Sequence, residues 1–354
     1  DDALRVISES SDHICAERLQ PNLAWIAQHL SRHGELVLSE QLLAQLNQIS
    51  VSTVKRILSR IQQDKPRLPR RKPAWGNALT RDVPMRQIAW NEPQPGHFEV
   101  DLVHHSGPST SGQYLHSLQM IDVATGWSER VATLGRSYQV MEDAFRRALT
   151  RLPFPVLEIH PDNGSEFFNA HLLRFFNDDA KVVELSRSRP HHKNDNRFVE
   201  QKNSTLIREP LGYERLDTVA QTLAVNQLYD LMWLYYNFFQ PVMRVSEKII
   251  VPSNGHRSRV KRRYDNARTP LDRLCETEAI SQAQKEHLLA LRDRVNPRLL
   301  RQSIYDQIEH VFSLPNSAQG VAEDIYQTLA QPIYIPKGED AWVTLLFDPI
   351  TNPR

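Results

Sequence analysis

The 354 residues predict an α/β protein: a mixed five-stranded sheet with flanking helices, preceded by an all-α domain and followed by a small β-rich segment and a helical region. Three observations predict it. Apolar, strand-like runs alternate with helical periodicity between residues 96 and 210. Residues 21–63 carry helical periodicity alone. Two blocks of positive charge flank the alternating stretch.

The strand candidates are 97–104, 114–122, 127–133, 156–161 and 182–186. Short polar turns separate the first three, as in an antiparallel meander, and helix–strand alternation follows. The run SYQVMEDAFRRALTRL places Tyr138, Met141, Phe145, Ala148 and Leu152 at helical spacing. A second helix is expected over about 166–177, with Phe168, Leu172 and Phe175 inward, and a third starts near Asn194. Residues 217–240 read as an apolar-rich helix, 242–265 as short basic strands and turns, and 277–312 as helical. The final PIYIPKGEDAWVTLLF reads as a hairpin turning at Lys337–Asp340.

Ahead of the sheet, three short helices are expected. Pro21 suits a first helical position before Leu23, Ile26 and Leu30. Ser39 caps a run with Leu42, Leu43 and Leu46 as its stripe. ISVSTVKRILSRI then buries Val51, Val54, Ile57, Leu58 and Ile61 and offers Ser52, Thr53, Lys55, Arg56 and Arg60 on its other face. Two helices joined by a tight turn, the second amphipathic and basic, form a helix-turn-helix arrangement, although an ordinary bundle shares the pattern. Residues 1–64 are therefore expected to be a DNA-binding domain. Residues 65–95 are rich in proline and arginine and read as an extended basic linker carrying Arg70, Arg71 and Lys72.

Net charge is only +1, so the distribution carries the information. From Lys55 to Lys72 there are eight basic residues and one acid, and from Arg257 to Arg263 five of seven are basic. Such blocks neutralise phosphates. Arg257, Arg259, Lys261, Arg262 and Arg263 thus mark 241–270 as a basic, β-rich DNA-binding segment. No apolar run approaches the roughly 18–20 residues that span a bilayer, and no signal peptide is visible. The two cysteines, Cys15 and Cys275, lie far apart, which fits a reducing cytosol and argues against a cysteine-rich zinc site. The region 271–354, helical with the terminal hairpin, offers no readable chemistry after about residue 275.

Three acidic residues stand in distinctive phrases: Asp101 in GHFEVDLVHH, Asp162 in LEIHPDNGSEF and Glu200 in HHKNDNRFVEQKN. In-line phosphodiester chemistry needs help at both the attacking and the leaving oxygen, which two divalent cations about 4 Å apart supply. Mg²⁺ takes hard oxygen ligands, so about three carboxylates must converge. Asp101 sits inside an apolar strand run, where an unpaired carboxylate is costly. Asp162 opens a turn containing Asn163 and Gly164. Glu200 shares a helix face with Asn196 and Asn203, whereas Phe198, Val199 and Leu206 gather on an adjacent one. Of the neighbouring acids, Asp122 reads as a turn residue, Glu166 as a helix cap and Asp195 as a helix-start residue. His191, His192 and Lys193 lie where they would touch phosphate, or form a polar loop.

The phrases WNEPQPGHFEVDLV, MIDVATGW, HPDNGSEF and KNDNRFVEQKN resemble the catalytic core of the retroviral-integrase-like DDE transposases of bacterial insertion sequences. With the segments NFFQPVMR and VKRRYDNARTP, the resemblance covers about residues 20–270. It implies a ribonuclease-H-like core over 96–240, with Asp101, Asp162 and Glu200 as both catalytic residues and ligands of two Mg²⁺ (or Mn²⁺) ions. It also implies DNA contacts from Arg197, Lys202 and Arg208, beside the phosphate contact already read for Lys193. The partners would be double-stranded DNA, as transposon ends and target, and further copies of the chain on that DNA. No membrane is involved, and the location would be the bacterial cytoplasm. Thirty-seven residues separate Asp162 from Glu200, slightly more than the family's usual spacing, and the His–Cys zinc module of retroviral integrases is absent. The residues leave two alternatives open: a ribonuclease-H-like nuclease that cuts without joining, and a transposase-derived DNA-binding regulator.

Overall fold

A computed structural model describes residues 1–61, 92–161, 172, 175–176, 184–186, 196–253, 256–318 and 321–329. Most of the expected linker, most of the helix at 166–177 and the terminal hairpin lie outside the described residues; of that helix Leu172, Phe175 and Phe176 are described, and all three are buried.

The N-terminal module has five helices: α1 (Asp2–Ser10), α2 (Ala16–Leu19), α3 (Leu23–Arg32), α4 (Glu40–Gln48) and α5 (Val51–Arg60). Helices α1 and α2 were not expected, and Pro21 sits in a 3₁₀ turn, Gln20–Asn22, that leads into α3. Leu4, Ile7, Leu19, Leu23, Ile26, Leu30, Leu46 and Val54 form the module's core. The Ser39 hydroxyl accepts from Leu42 N and that of Ser50 from Thr53 N. Each satisfies an orphan donor of a helix start. Only Ile49 and Ser50 separate α4 from α5.

The sheet comprises β1 (His97–His104), β2 (Leu115–Asp122), β3 (Ser128–Leu134), β4 (Glu158–Pro161) and β5 (Glu184–Leu185), in the order β3-β2-β1-β4-β5. Strands β1, β2 and β3 are antiparallel neighbours; β4 joins β1, and β5 joins β4, in parallel. Helix α6 (Tyr138–Thr150) makes the crossover from β3, past β2 and β1, to the parallel strand β4.

Paired residues on adjacent strands share a face, so the register divides the sheet in two. One face carries Phe98, Val100, Leu102, Leu118, Met120 and Val131, which join Met141, Ala144 and Phe145 of α6 in the main core. The other carries Glu99, Asp101, Gln119, Ile121 and Arg130. It is covered by α7 (Arg197–Asn203) and by Tyr229 and Tyr236, which stand on and just beyond α8 (Val219–Leu234). Helix α7 continues through a π-helical turn, Ser204–Arg208, and α8 ends in another, Tyr235–Phe239.

The basic segment is a single long hairpin rather than short strands and turns: β6 (Val245–Ser253) pairs antiparallel with β7 (His256–Tyr264), apart from the main sheet. Helix α9 (Pro270–Cys275) precedes the stretch expected to be helical, 277–312, which α10 (Gln282–Arg294) and α11 (Pro297–Ser313) fill. They buttress the N-terminal module. His29 Nε2 donates to Val295 O at 2.7 Å and Arg301 to Asp12 at 3.0 Å; from the turn after α8, Tyr235 OH donates to Ser10 O at 2.9 Å. No described helix is long and apolar enough to cross a membrane.

Candidate active site

Asp101 is half-buried on β1, opposite Gln119 in the register. Its Oδ1 accepts from Leu102 N at 2.8 Å and its Oδ2 from the Asn203 side chain. Two residues earlier, Glu99 is 2% exposed and accepts from Phe198 N at 2.6 Å and Val199 N at 2.9 Å. Burial pushes the Glu99 carboxyl up to about 8 against the pull of these donors and of Arg197, and nearby Glu200 adds to the rise. Helix α7 thus lies along β1, and the exposed Glu200 follows directly on Val199. Asn203 stands three residues after Glu200, so the two share a helix face.

Strand β4 ends at Pro161, whose Cα pairs with Val100, the neighbour of Asp101. Asp162 is the next residue in the chain and lies outside the described residues, as do Glu166, His191, His192, Lys193 and Asp195. Among the described residues, no group of three His, Cys, Asp or Glu side chains is arranged to hold a metal ion. Asp101 and Glu200 supply hard oxygen donors of the type Mg²⁺ and Mn²⁺ take.

Asp122 is a turn residue, as expected. Fully buried, it accepts from Gly96 N at 2.8 Å, Thr125 N at 2.7 Å and Thr125 Oγ1 at 2.6 Å. These bonds tie the start of β1 to the end of β2.

The basic residues divide into several environments. On α5, Ser52, Lys55, Arg56 and Arg60 are exposed; Arg60 pairs with Asp1 at 3.0 Å, and Thr53 Oγ1 shares a hydrogen bond with the capping Ser50. Lys55 also lines a cavity of about 440 Å³ with Ser8, His13, Cys15, Glu17 and Ser59, within the helical module. Arg197 stacks on Phe198 at 5.2 Å. Arg208 donates to His104 O at 2.8 Å and packs over Tyr213, so it holds the turn after α7. Lys202 is half-buried; burial lowers its ammonium to about 7, and Arg18, Arg244 and Arg130 push the same way. On β7, Lys261, Arg262 and Arg263 are exposed, with Arg263 paired to Glu247 at 3.0 Å. Arg257 and Arg259 belong to the same strand, with side chains outside the description. Arg70, Arg71 and Lys72 also lie outside the described residues.

Residue-by-residue reading missed Glu99 and the buried polar row beside it. Arg130 is 1% exposed and Gln119 0% exposed. Among the described residues, the Arg130 guanidinium and the Gln119 amide have no hydrogen-bond partner. Arg130 packs against the Tyr229 and Tyr236 rings at 5.8 and 5.4 Å, and burial lowers it to about 10. A signal was present in the sequence: FEVDLV alternates acidic and apolar residues, so Glu99 had to share the Asp101 face.

No protein-family model matches the chain. Among solved structures, the simian T-cell lymphotropic virus intasome in complex with PP2A regulatory subunit B56 gamma aligns over 66% of this chain and 72% of that one. Its identity is 12% and its TM-score 0.31. A likeness at that score carries no weight for fold or function. A relative from Sinorhizobium fredii (strain NBRC 101917 / NGR234), "Uncharacterized protein y4rM", is 37% identical over 273 residues, 77% of this chain and 76% of the relative. The chain belongs to the same family as that Sinorhizobium protein.

Proposed function

We propose that the chain is a DDE-type DNA transposase with a ribonuclease-H-like core, in which Asp101, Asp162 and Glu200 serve a metal-dependent phosphodiester site. The observation that carries the reading is the placement of Asp101 against the helix that bears Glu200, through Asn203. The parallel neighbour β4 ends one residue short of Asp162. Carboxylates set on a strand and on a helix braced against it have the rigidity such a site needs. The three would hold Mg²⁺ or Mn²⁺, which when bound supplies Lewis-acid assistance at the attacking and leaving oxygens.

The chain's own residues support DNA as the substrate. The exposed Lys55 and Arg56 on α5, with a two-residue connection to α4, suit a helix-turn-helix that reads terminal repeats. Lys261, Arg262 and Arg263 line a two-stranded ribbon suited to backbone phosphates. Water would attack a phosphodiester at the element end, and the freed 3′-OH would then attack target DNA. No covalent protein intermediate is needed. Two ends must be held together for this, so further copies of the chain are expected on the DNA.

The test takes Asp101→Asn, Asp162→Asn and Glu200→Gln separately and measures Mg²⁺-dependent joining of an oligonucleotide carrying the element's terminal repeat. Each is expected to abolish joining while leaving DNA binding nearly intact. Full joining by any one removes that residue from the site. Hydrolysis products without joined products would mark a nuclease instead. DNA binding with neither would mark a regulator.

A further inference from the structure

We propose that Glu99 is a positioning residue of this site: its buried carboxyl group clamps the first turn of α7 onto β1 and thereby sets where Glu200 stands relative to Asp101. The catalytic consequence rests on the functional reading above; the clamp itself rests on geometry alone.

Helix α7 has seven residues before the π-helical turn that continues it, and even a helical run of about 12–15 residues is marginal in water on its own. Its placement therefore depends on what holds it. Its own N-cap, Asn196, makes no side-chain cap. The work falls to Glu99, which reaches across from β1 to accept the Phe198 and Val199 N–H groups. Both donors belong to the first helical turn, which has no intrahelical acceptors to offer them. Val199 is fully buried, so losing Glu99 would strand its N–H away from water.

A second contact completes the clamp. Asn203 donates to Asp101, two residues along β1 from Glu99. Two residues of strand advance about 6.7 Å, and the four from Val199 to Asn203 advance about 6 Å along a helix. The matched spacing lets one strand hold both ends of the helix. One contact would leave α7 free to roll about its axis; two fix its rotation, and with it the direction of Glu200. Val199 and Leu206 packing on Ile121 seal the apolar side of the same contact. The groups facing Glu99 are Arg197 and Glu200 from α7 and Arg244 from the segment before β6.

The experiment compares the full chain with Glu99→Gln and Glu99→Leu. Gln retains an oxygen that can accept both N–H bonds; Leu keeps the volume and removes the acceptor. Hydrogen exchange of the 197–203 segment is expected to stay protected in Glu99→Gln and to speed up at least about tenfold in Glu99→Leu, the equivalent of about 1.4 kcal/mol. If Glu99→Leu does not fold, the wild-type amides of Phe198 and Val199 decide. Exchange as slow as the core supports the clamp, and exchange as fast as an open helix end overturns it.

Mg²⁺-dependent nicking of supercoiled plasmid DNA reads the consequence. Glu99→Leu is expected to lose about 10–100-fold in kcat with the KM for DNA unchanged, as when a supporting partner of a metal ligand is lost. Glu99→Gln should stay within about threefold of wild type, a change of under 1 kcal/mol. Wild-type kcat in a Glu99→Leu chain whose α7 has lost protection overturns the positioning role. Absence of nicking by the wild-type chain, or nicking that survives Asp101→Asn, overturns the functional reading instead, and the exchange comparison still decides the clamp.

Discussion

Asn203 donates a hydrogen bond to the carboxylate of Asp101 across 102 residues of chain, fastening a helix to the strand whose acid it accompanies. Removing that donor while keeping its bulk, as in Asn203→Leu, should weaken metal-dependent activity about tenfold by freeing the carboxylate to turn. The check is the Mg²⁺ concentration giving half-maximal plasmid nicking, which should rise. An unchanged Mg²⁺ dependence would show that Asn203 does not orient Asp101.

Gly96 enters β1 at φ +118°, a conformation L side chains rarely adopt, and an added Cβ would stand 2.8 Å from Pro155 O and from the Leu157 side chain. The same residue takes Leu157 N and Glu158 N on its carbonyl, which starts the β1–β4 pairing. Gly96→Ala should therefore cost about 2 kcal/mol or more in urea denaturation. A loss below about 0.5 kcal/mol, the usual size of a neutral surface change, would contradict the register drawn for β4.

Arg130 gives a prediction of opposite sign. Its guanidinium is buried and has no hydrogen-bond partner among the described residues, so it carries a desolvation cost that Tyr229, Tyr236 and Glu129 only partly offset. Arg130→Met should leave stability unchanged or raise it by about 1–2 kcal/mol, as other buried charges do when replaced by apolar residues of similar volume. A loss above about 2 kcal/mol in thermal or urea unfolding would mean that attraction to Tyr229, Tyr236 and Glu129 outweighs the desolvation of the guanidinium.

Three buried histidines set an acid limit. Burial lowers His29 to about 4 and His116 to about 3, and holds His105 well below its ordinary range. The unfolded chain protonates these rings near 6.5, so below that pH the unfolded state binds more protons than the folded one. Stability is full above about pH 7 and falls as pH drops through 6.5, by about 1.4 kcal/mol per unit for each ring still neutral in the fold. For His29 the loss continues to about pH 4, and it acts on the seam between α3 and α10, where the ring binds Val295 O. Urea midpoints at pH 7.5, 6 and 5 should fall more steeply for wild type than for His29→Gln. Parallel curves would show that His29 is not the titrating group.

Much of this arrangement was legible in the chain. Apolar, strand-like runs bounded by polar turns located β1 to β4 within a few residues, although β2 and β3 are buried along their whole length. The phase of the α7 segment placed Glu200 and Asn203 together, because a helix repeats every 3.6 residues. What escaped was tertiary. Glu99 reads as a solvent-facing acid in a half-exposed strand until α7 covers it. Arg130 and Gln119 look like surface residues of a meander until Tyr229 and Tyr236 close over them. Helices α10 and α11 carry no chemical motif, and their partners, Asp12, His29 and Glu35, lie more than 250 positions earlier. Local periodicity holds no record of such pairings.

The central claim is that Asp101, Asp162 and Glu200 converge on divalent metal. Anomalous diffraction from crystals of the chain grown with Mn²⁺ and DNA tests it most directly. The account predicts manganese peaks bound by carboxylate oxygens of Asp101, Asp162 and Glu200, and their loss in Asp101→Asn. Ordered carboxylates more than about 10 Å apart, beyond shared coordination, or manganese bound only elsewhere, would contradict it.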